Sequence, residues 1–513
     1  MATNPGAARA VDERYALDDR YALSSGRVYL TGVQALVRLP IEQRRRDAAA
    51  GLDTAGFVSG YRGSPLGTYD MALWDAQRFL DQHRIRFEPG VNEDLAATAV
   101  WGTQQAALHP KPRHQGVFGI WYGKGPGVDR SCDALKHGNY AGASRHGGVL
   151  VLCGDDPGAR SSSIAHQSEP ALIHCGIPVL NPASVQEYLD LGLYGFALSR
   201  FSGSWVAMKC LTDTVDSARS VEVGAERLRI VEPEIAMPPG GLHIAWANYP
   251  LQVEQRLYQH RLPAVQAFVR ANGLDRVVLG ASDSPLNRSD SPLNRRLGIV
   301  TAGKACLDVR QALDDLGIDA RRAAEIGLEV YKVALVWPLE PEGARRFCAG
   351  LEDVLVVEEK RPILEEQLAR LLYDEPARPR LAGKRDERGA PLVPSEGELA
   401  PAAVAEAIRR WLERRLPELA ATLPPRPPEL PAAAAQAAGL MRLPSFCSGC
   451  PHNTSTVVPE DAIALGGIGC HGMAVWLPER RTLAVTQMGG EGANWIGQAP
   501  FVETPHVYQN MGD

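Results

Sequence analysis

The sequence predicts an α/β protein with mostly parallel sheets and helices on both faces. Two observations carry this. Short apolar runs end in glycine and lead into stretches with helical spacing. That order of strand, glycine turn and helix then repeats along the chain. A chain of 513 residues, 45% of them hydrophobic, has room for two to four domains with cores of their own.

The first half sets the pattern. "GFVSGYRGSP" reads as a strand from Ala55 to Ser59 running into a turn, and "LGTYDMALWDAQRFLDQH" follows with helical spacing. Asn92–Leu108 is a second helix, and "GVFGIWYG" and "GGVLVLCGDDPG" are further strands ending in glycine. A mixed, largely helical stretch from Val215 to Gly280 joins this half to a second α/β unit starting near Arg296. There "RLGIVTAGKACLDVRQALDDLG", "EVYKVALVWPL" and "DVLVVEEKRPILEEQLARLLY" repeat the order. Between the two lies a tandem copy of Ser282–Arg288, polar and turn-rich, as a surface loop would be. A charged helix, Ala402–Leu416, leads into a proline- and alanine-rich linker. A third unit then opens on "FCSGCPHN" and runs to "HVYQNMGD", a strand arriving at a glycine turn. It is expected to be an incomplete module. The domain bounds on this reading are 25–235, 236–400, 401–440 and 441–513.

Composition narrows the function classes. A formal charge of −6 without a basic stripe argues against nucleic acid as a partner. No apolar run of spanning length appears, and the first residues lack a signal pattern, so the expected compartment is the cytoplasm and not a membrane. Nine cysteines scattered over this length are not a disulfide framework. Cys132, Cys153, Cys175, Cys210, Cys306 and Cys348 stand alone and read as small buried hydrophobes.

Four segments carry possible chemistry. "SGYRGSPLG" (Ser59–Gly67) is a sharp turn at a strand end; it matches neither the dinucleotide nor the P-loop pattern, and is read as a ligand-facing loop or a plain turn. Glu93 and Asp94 fall in the first turn of a helix, where acids are ordinary. "CGDDPGARSSSIAHQSE" (Cys153–Glu169) is either a cradle of hydroxyls and turn amides for an anion or a capped, solvated loop. Cys447, Cys450 and Cys470 suit a [4Fe–4S] cluster lacking one thiolate, a zinc site completed by His452 or His471, or structural or redox thiols.

Together "SGYRGSPLG", "VNEDLAATAVWG", "CGDDPGARSSSIAHQSE", "LGIVTAGKA", "CSGCPHN", "GIGCHGM" and "QMGGEG" resemble the 2-oxoacid:ferredoxin oxidoreductases, most closely the long fused bacterial indolepyruvate ferredoxin oxidoreductases. The resemblance implies thiamine-diphosphate-binding modules: a pyrimidine-binding module over 25–235, an accessory α/β domain over 236–400, and the start of the diphosphate-binding module over 441–513. It implies that Glu93 bonds the aminopyrimidine ring and that Gly60, Gly63, Ser64, Pro65, Gly489, Gly490, Glu491, Gly512 and Asp513 line the cofactor. Cys447, Cys450 and Cys470 would hold three corners of a [4Fe–4S] cluster, and Asp513 would bind Mg²⁺. The implied reaction is oxidative decarboxylation of an arylpyruvate, indolepyruvate first, with coenzyme A and ferredoxin, in a homo-oligomer completed by carboxyl-terminal domains beyond residue 513. Tyr61, Trp121 and Tyr122 are read as pocket-lining or core residues. A non-redox thiamine-dependent decarboxylase or ligase, and a non-catalytic scaffold or remnant, are the alternatives.

Overall fold

A computed structural model describes residues 15–245, 249–280, 296–426 and 445–511. The tandem copy after Ser282, most of the proline- and alanine-rich stretch, and Gly512 and Asp513 lie outside the described residues. Two compact units are present, the first ending at Pro424 and the second starting at Pro425.

The strands of the first unit, in chain order, are β1 (Ser25–Thr31), β2 (Thr54–Gly60), β3 (Ile85–Phe87), β4 (Gly116–Lys124), β5 (Val149–Asp155), β6 (Val179–Leu180), β7 (Val206–Leu211) and β8 (Ala218–Gly224). They continue as β9 (Arg276–Leu279), β10 (Leu297–Ala302), β11 (Leu328–Val333), β12 (Leu335–Trp337), β13 (Asp353–Val357) and β14 (Arg380–Ala382). A seven-stranded sheet runs β12-β6-β7-β5-β4-β2-β3, a five-stranded sheet runs β14-β13-β10-β11-β9, and β1 and β8 form a separate antiparallel ribbon. All pairings in the seven-stranded sheet are parallel except β12 with β6. The mixed α/β class expected from the strand–glycine–helix order is the class observed.

The large sheet is buried on both faces, and side-chain alternation divides its residues between two cores. Phe118, Ile120, Tyr122, Leu150 and Leu152 enter one core with the helices Gly32–Ala49 and Val185–Ser202. Trp121, Val149, Val151 and Cys153 enter the other with the helix Glu93–Gln105. This second core also takes in Val300, Val333, Phe347 and Val356 from the five-stranded side, so the two sheets share apolar interior. The predicted helix from Leu66 to His83 is two short ones, Tyr69–Asp75 and Gln77–Gln82. The charged helix is Pro401–Arg415, and its Val404, Ile408, Trp411 and Leu412 fill the core beside β10 and β13.

"EVYKVALVWPL", expected as one strand, divides between the sheets. Its first part is β11, while Leu335 and Trp337 cross over and pair with Leu180 and Val179 of the large sheet. Asp275 holds the crossing, its Oδ1 accepting from the Ala334 and Leu335 amides at 2.7 and 3.2 Å. The loops at the carboxyl ends of both sheets meet. Arg160 reaches Asp213 at 3.0 Å and Glu398 at 2.5 Å, and Lys304 reaches Asp308 at 2.9 Å and Asp213 at 3.6 Å. The Gln167 Oε1 accepts from the Arg361 amide at 3.2 Å.

In the second unit β15 (Ala464–Gly466), β16 (Thr482–Val485) and β17 (Tyr508–Gln509) form a parallel sheet in the order β16-β15-β17. Its buried apolar cluster is Val458, Ala462 and Ala464, while Leu483, Ile496, Phe501 and Met511 are exposed. Among the described residues no helix is long and apolar enough to cross a membrane.

Candidate active site

In open parallel sheets ligands bind beyond the carboxyl ends of the strands. At that edge of the large sheet four segments converge. "SGYRGSPLG" leaves β2 and lies against β4 and β5. The backbone approach is close: a Cβ at Gly60 would fall 2.1 Å from the Tyr122 carbonyl oxygen, and one at Gly63 would fall 2.7 Å from Lys124 Cδ. Pro65 rests on Gly154, and Ser64 Oγ accepts from the Ser161 hydroxyl at 2.7 Å. The Gly90 amide donates to the Gly60 carbonyl at 2.9 Å, which brings the start of the Glu93 helix to the same corner. Gly60, Gly63, Ser64, Pro65 and Glu93 are thus gathered in one place.

Glu93 is not there to cap its helix. Asn92 does that, its side chain accepting from the Leu95 amide at 2.9 Å. The Glu93 side chain turns inward and is 2% exposed, against Gly127 of the helix Gly125–Arg130; a Cβ at 127 would lie 2.7 Å from Glu93 Oε1. That oxygen is buried and has no hydrogen-bond partner among the described residues. A buried, unpaired carboxylate oxygen is costly, so it marks a place where a ligand donor belongs. Burial raises the Glu93 pKa, and Arg130 and Lys124 act against the rise. The ordinary reading of Glu93 as a solvated acid at a helix terminus is therefore overturned by where the side chain points.

The serine-rich loop after β5 turns some of its amides onto its own carboxylates. Asp156 accepts from the Arg160 and Ser161 amides at 3.1 and 2.9 Å, and Asp155 accepts from the Ser168 amide at 2.9 Å. Three amides of the loop are thus taken by its own carboxylates. Asp155 is in turn 3.4 Å from Lys209, which pairs with Glu169 at 2.6 Å. His166 completes the cluster, with Nε2 2.8 Å from Asp129 and Nδ1 3.6 Å from Asp155. Burial lowers the His166 pKa, but these carboxylates outweigh it and bring it to about 9.

Lys124, His166 and Lys209 were missed in the sequence. For Lys124 a signal was present: a lone cation ends the apolar run "GVFGIWYG" and precedes Gly-Pro-Gly. Trp121 and Tyr122, read as lining a pocket or as core, are core. Both are fully buried; Trp121 Nε1 donates to the Glu93 carbonyl at 3.0 Å, and Tyr122 stacks edge-on to Tyr69 at 4.9 Å. Tyr61 is half-buried, its amide bonded to the Tyr122 carbonyl at 3.1 Å. A surface hollow of about 710 Å³ is lined by Phe57, Arg84 and His114 near the amino ends of β2–β4 and lies away from this site.

The second unit holds the remaining predicted residues. Cys447 and Cys470 are exposed and Cys450 is half-buried. The Cys450 amide bonds the Cys447 carbonyl at 3.0 Å, and the His452 and His471 rings lie 6.0 Å apart. His471 Nε2 accepts from the Gly467 amide at 3.2 Å. Among the described residues no three His, Cys, Asp or Glu side chains form a metal-holding group, so the three thiolates are not assembled as a cluster or zinc site would require. Gly489 takes a positive φ of 77°, Gly490 lies against Gln487, and Glu491 lies against Gly467.

Comparison with known proteins adds a family-level match. A profile described as "Indolepyruvate oxidoreductase domain" covers residues 288–421. Indolepyruvate oxidoreductase subunit IorA of Pyrococcus abyssi is 25% identical over 489 residues, 90% of this chain and 64% of that one. The subunit of the same name from Pyrococcus horikoshii is 26% identical over 486 residues, again 90% and 64%. The chain therefore spans just under two thirds of the length of these relatives. Among solved structures, a 2-oxoglutarate:ferredoxin oxidoreductase from Magnetococcus marinus, with 2-oxoglutarate, coenzyme A and succinyl-CoA bound, is 14% identical with a TM-score of 0.51. That superposition covers 77% of this chain and 65% of the other. The mixed α/β architecture with parallel sheets is shared with that oxidoreductase.

Proposed function

We propose that this chain supplies the pyrimidine-binding half of a thiamine diphosphate site in a 2-oxoacid:ferredoxin oxidoreductase. The enzyme acts on an arylpyruvate, indolepyruvate first. In the overall reaction the 2-oxo acid and coenzyme A give an acyl thioester, CO₂ and a proton, while two ferredoxins each accept one electron. The observation that carries the reading is the buried Glu93 carboxyl with Oε1 unpaired at a strand-end corner. The names of the relatives supply the substrate, and the acceptor rests on the sequence resemblance.

Thiamine diphosphate, when bound, supplies a carbon nucleophile for the ketone and an electron sink for the loss of CO₂. The chain's own part is orientation and proton control. Glu93 Oε1 offers a strong acceptor to a ring N–H, and burial biases it toward holding the shared proton. Gly127 leaves room for that carboxyl, and Asn92 and Trp121 fix the backbone on either side of it. The diphosphate and magnesium contacts rest on the resemblance alone, since Asp513 lies outside the described residues. The [4Fe–4S] reading of Cys447, Cys450 and Cys470 rests on the resemblance alone, since they form no metal-holding group among the described residues, and no electron-transfer step is assigned to them.

The test is Glu93→Gln in the active enzyme containing this chain. Turnover should fall by about 10²–10⁴-fold, with the unfolding midpoint unchanged or raised. Full turnover in that variant sinks the reading. CO₂ release measured with and without an electron acceptor separates the oxidoreductase from a non-redox decarboxylase, which needs no acceptor.

A further inference from the structure

We propose that Lys124 is the cation that receives the carboxylate of the 2-oxo acid. This rests on the thiamine diphosphate reading of Glu93 and adds to it a residue for the substrate. Lys124 is the last residue of β4, the strand beside β2 and β5, and sits immediately before the helix whose Gly127 touches Glu93. Its aliphatic stem runs past Gly63, where a side chain would collide with it. The residue is 8% exposed, so it is largely withdrawn from water with a small opening left at the strand-end corner.

Five other cations at this edge are paired with carboxylates, and Arg62 on the adjoining loop is exposed. Lys209 pairs with Glu169 and Asp155, and His166 lies between Asp129 and Asp155. Arg160 pairs with Asp213 and Glu398, Lys304 with Asp308, and Arg130 lies 3.5 Å from Asp94. The Lys124 side chain makes no ion pair or hydrogen bond among the described residues. Glu93 and Asp156 act on it through space without closing to ion-pair distance. Asp156 has both oxygens engaged by backbone amides, and Glu93 is committed to the cofactor ring.

The Lys124 ammonium, largely withdrawn from water, has no partner among the described residues, and it and the unpaired glutamate next to it call for different ligands. The carboxylate of a 2-oxo acid is one bond from the ketone carbon that must meet the cofactor. A group that holds this carboxylate has to lie next to the group that holds the cofactor ring. Lys124 meets that requirement. Loss of the carboxylate as CO₂ removes the negative charge that Lys124 holds, so the contact favours the acid over neutral analogues at the binding step.

Binding of phenylpyruvate and of its methyl ester to the active enzyme containing this chain, loaded with thiamine diphosphate and Mg²⁺, tests this by calorimetry on the parent, Lys124→Met and Lys124→Arg. The parent should bind the acid more tightly than the ester. Lys124→Met should weaken the acid by about tenfold to a hundredfold and leave the ester unchanged, which removes the discrimination. Lys124→Arg should keep most of it, and so guards against a loss caused by misfolding. Equal binding of the acid by parent and Lys124→Met, with thiamine diphosphate still bound by both, overturns the role of Lys124 and leaves the cofactor reading standing. A parent that binds no phenylpyruvate also overturns it. Failure of the parent to bind thiamine diphosphate removes both readings.

Discussion

Gly127 and Glu93 are 34 positions apart in the chain and share one small volume, in which a methyl group at 127 would press on the carboxyl. Gly127→Ala should displace Glu93 and weaken thiamine diphosphate binding severalfold or more, with little loss of stability. Calorimetric titration alongside a urea melt checks both; undiminished affinity would mean the carboxyl does not need this position. His166 gives a pH signature. Its pKa in the folded chain is raised to about 9 by Asp129 and Asp155, above the ordinary 6.5. Its contribution to stability is therefore fully present below about 6.5 and is lost as pH rises through about 9, amounting to up to about 3 kcal/mol. Urea unfolding at pH 6 and pH 10 should show this loss in the parent, and His166→Gln should flatten it. An unchanged pH dependence in that variant would place the effect elsewhere.

At the scale of elements, the helix Glu93–Gln105 divides two jobs between adjacent residues. Asn92 terminates the helix through the Leu95 amide, and Glu93 is left free to turn inward. The two should separate on mutation. Asn92→Ala should cost about 1 kcal/mol of stability, read from a urea melt, as loss of a cap does. Glu93→Gln should cost none, because it removes a buried carboxyl without a partner. A destabilising Glu93→Gln would show that the side chain has a structural partner after all. The strand–glycine–helix order made these elements legible: Ala55–Ser59 is found as Thr54–Gly60, and Asn92–Leu108 as a capped helix followed by a short 3₁₀ turn. The break at Ala76 between the helices Tyr69–Asp75 and Gln77–Gln82 was not legible, since apolar spacing continues through it.

Across the whole first unit, the exchange of β12 into the large sheet joins what would otherwise be two domains. Leu335 and Trp337 pair with the β6 edge, Val333 and Phe347 enter the core under Trp121, and ion pairs bridge the carboxyl-end loops. Such shared interior predicts one cooperative unfolding transition for the first unit, which ends at Pro424. Near- and far-ultraviolet circular dichroism should lose signal at the same urea concentration; two separated transitions would mean that the sheets fold independently.

Local patterning was enough to determine the α/β class, the loops that lie at strand ends, and the burial of Cys153, Cys175, Cys210, Cys306 and Cys348, because backbone turns and apolar runs depend on near neighbours. The tertiary structure alone decided which of the polar residues are left without partners. Asp155, Asp156, Glu169 and Lys209 look as available in the sequence as Glu93 and Lys124, yet the first four neutralise one another or accept from turn amides. Whether a charge is satisfied depends on groups brought in from distant parts of the chain. Electrostatic energy inside a protein is set by those distances and by burial, and neither is written in sequence order.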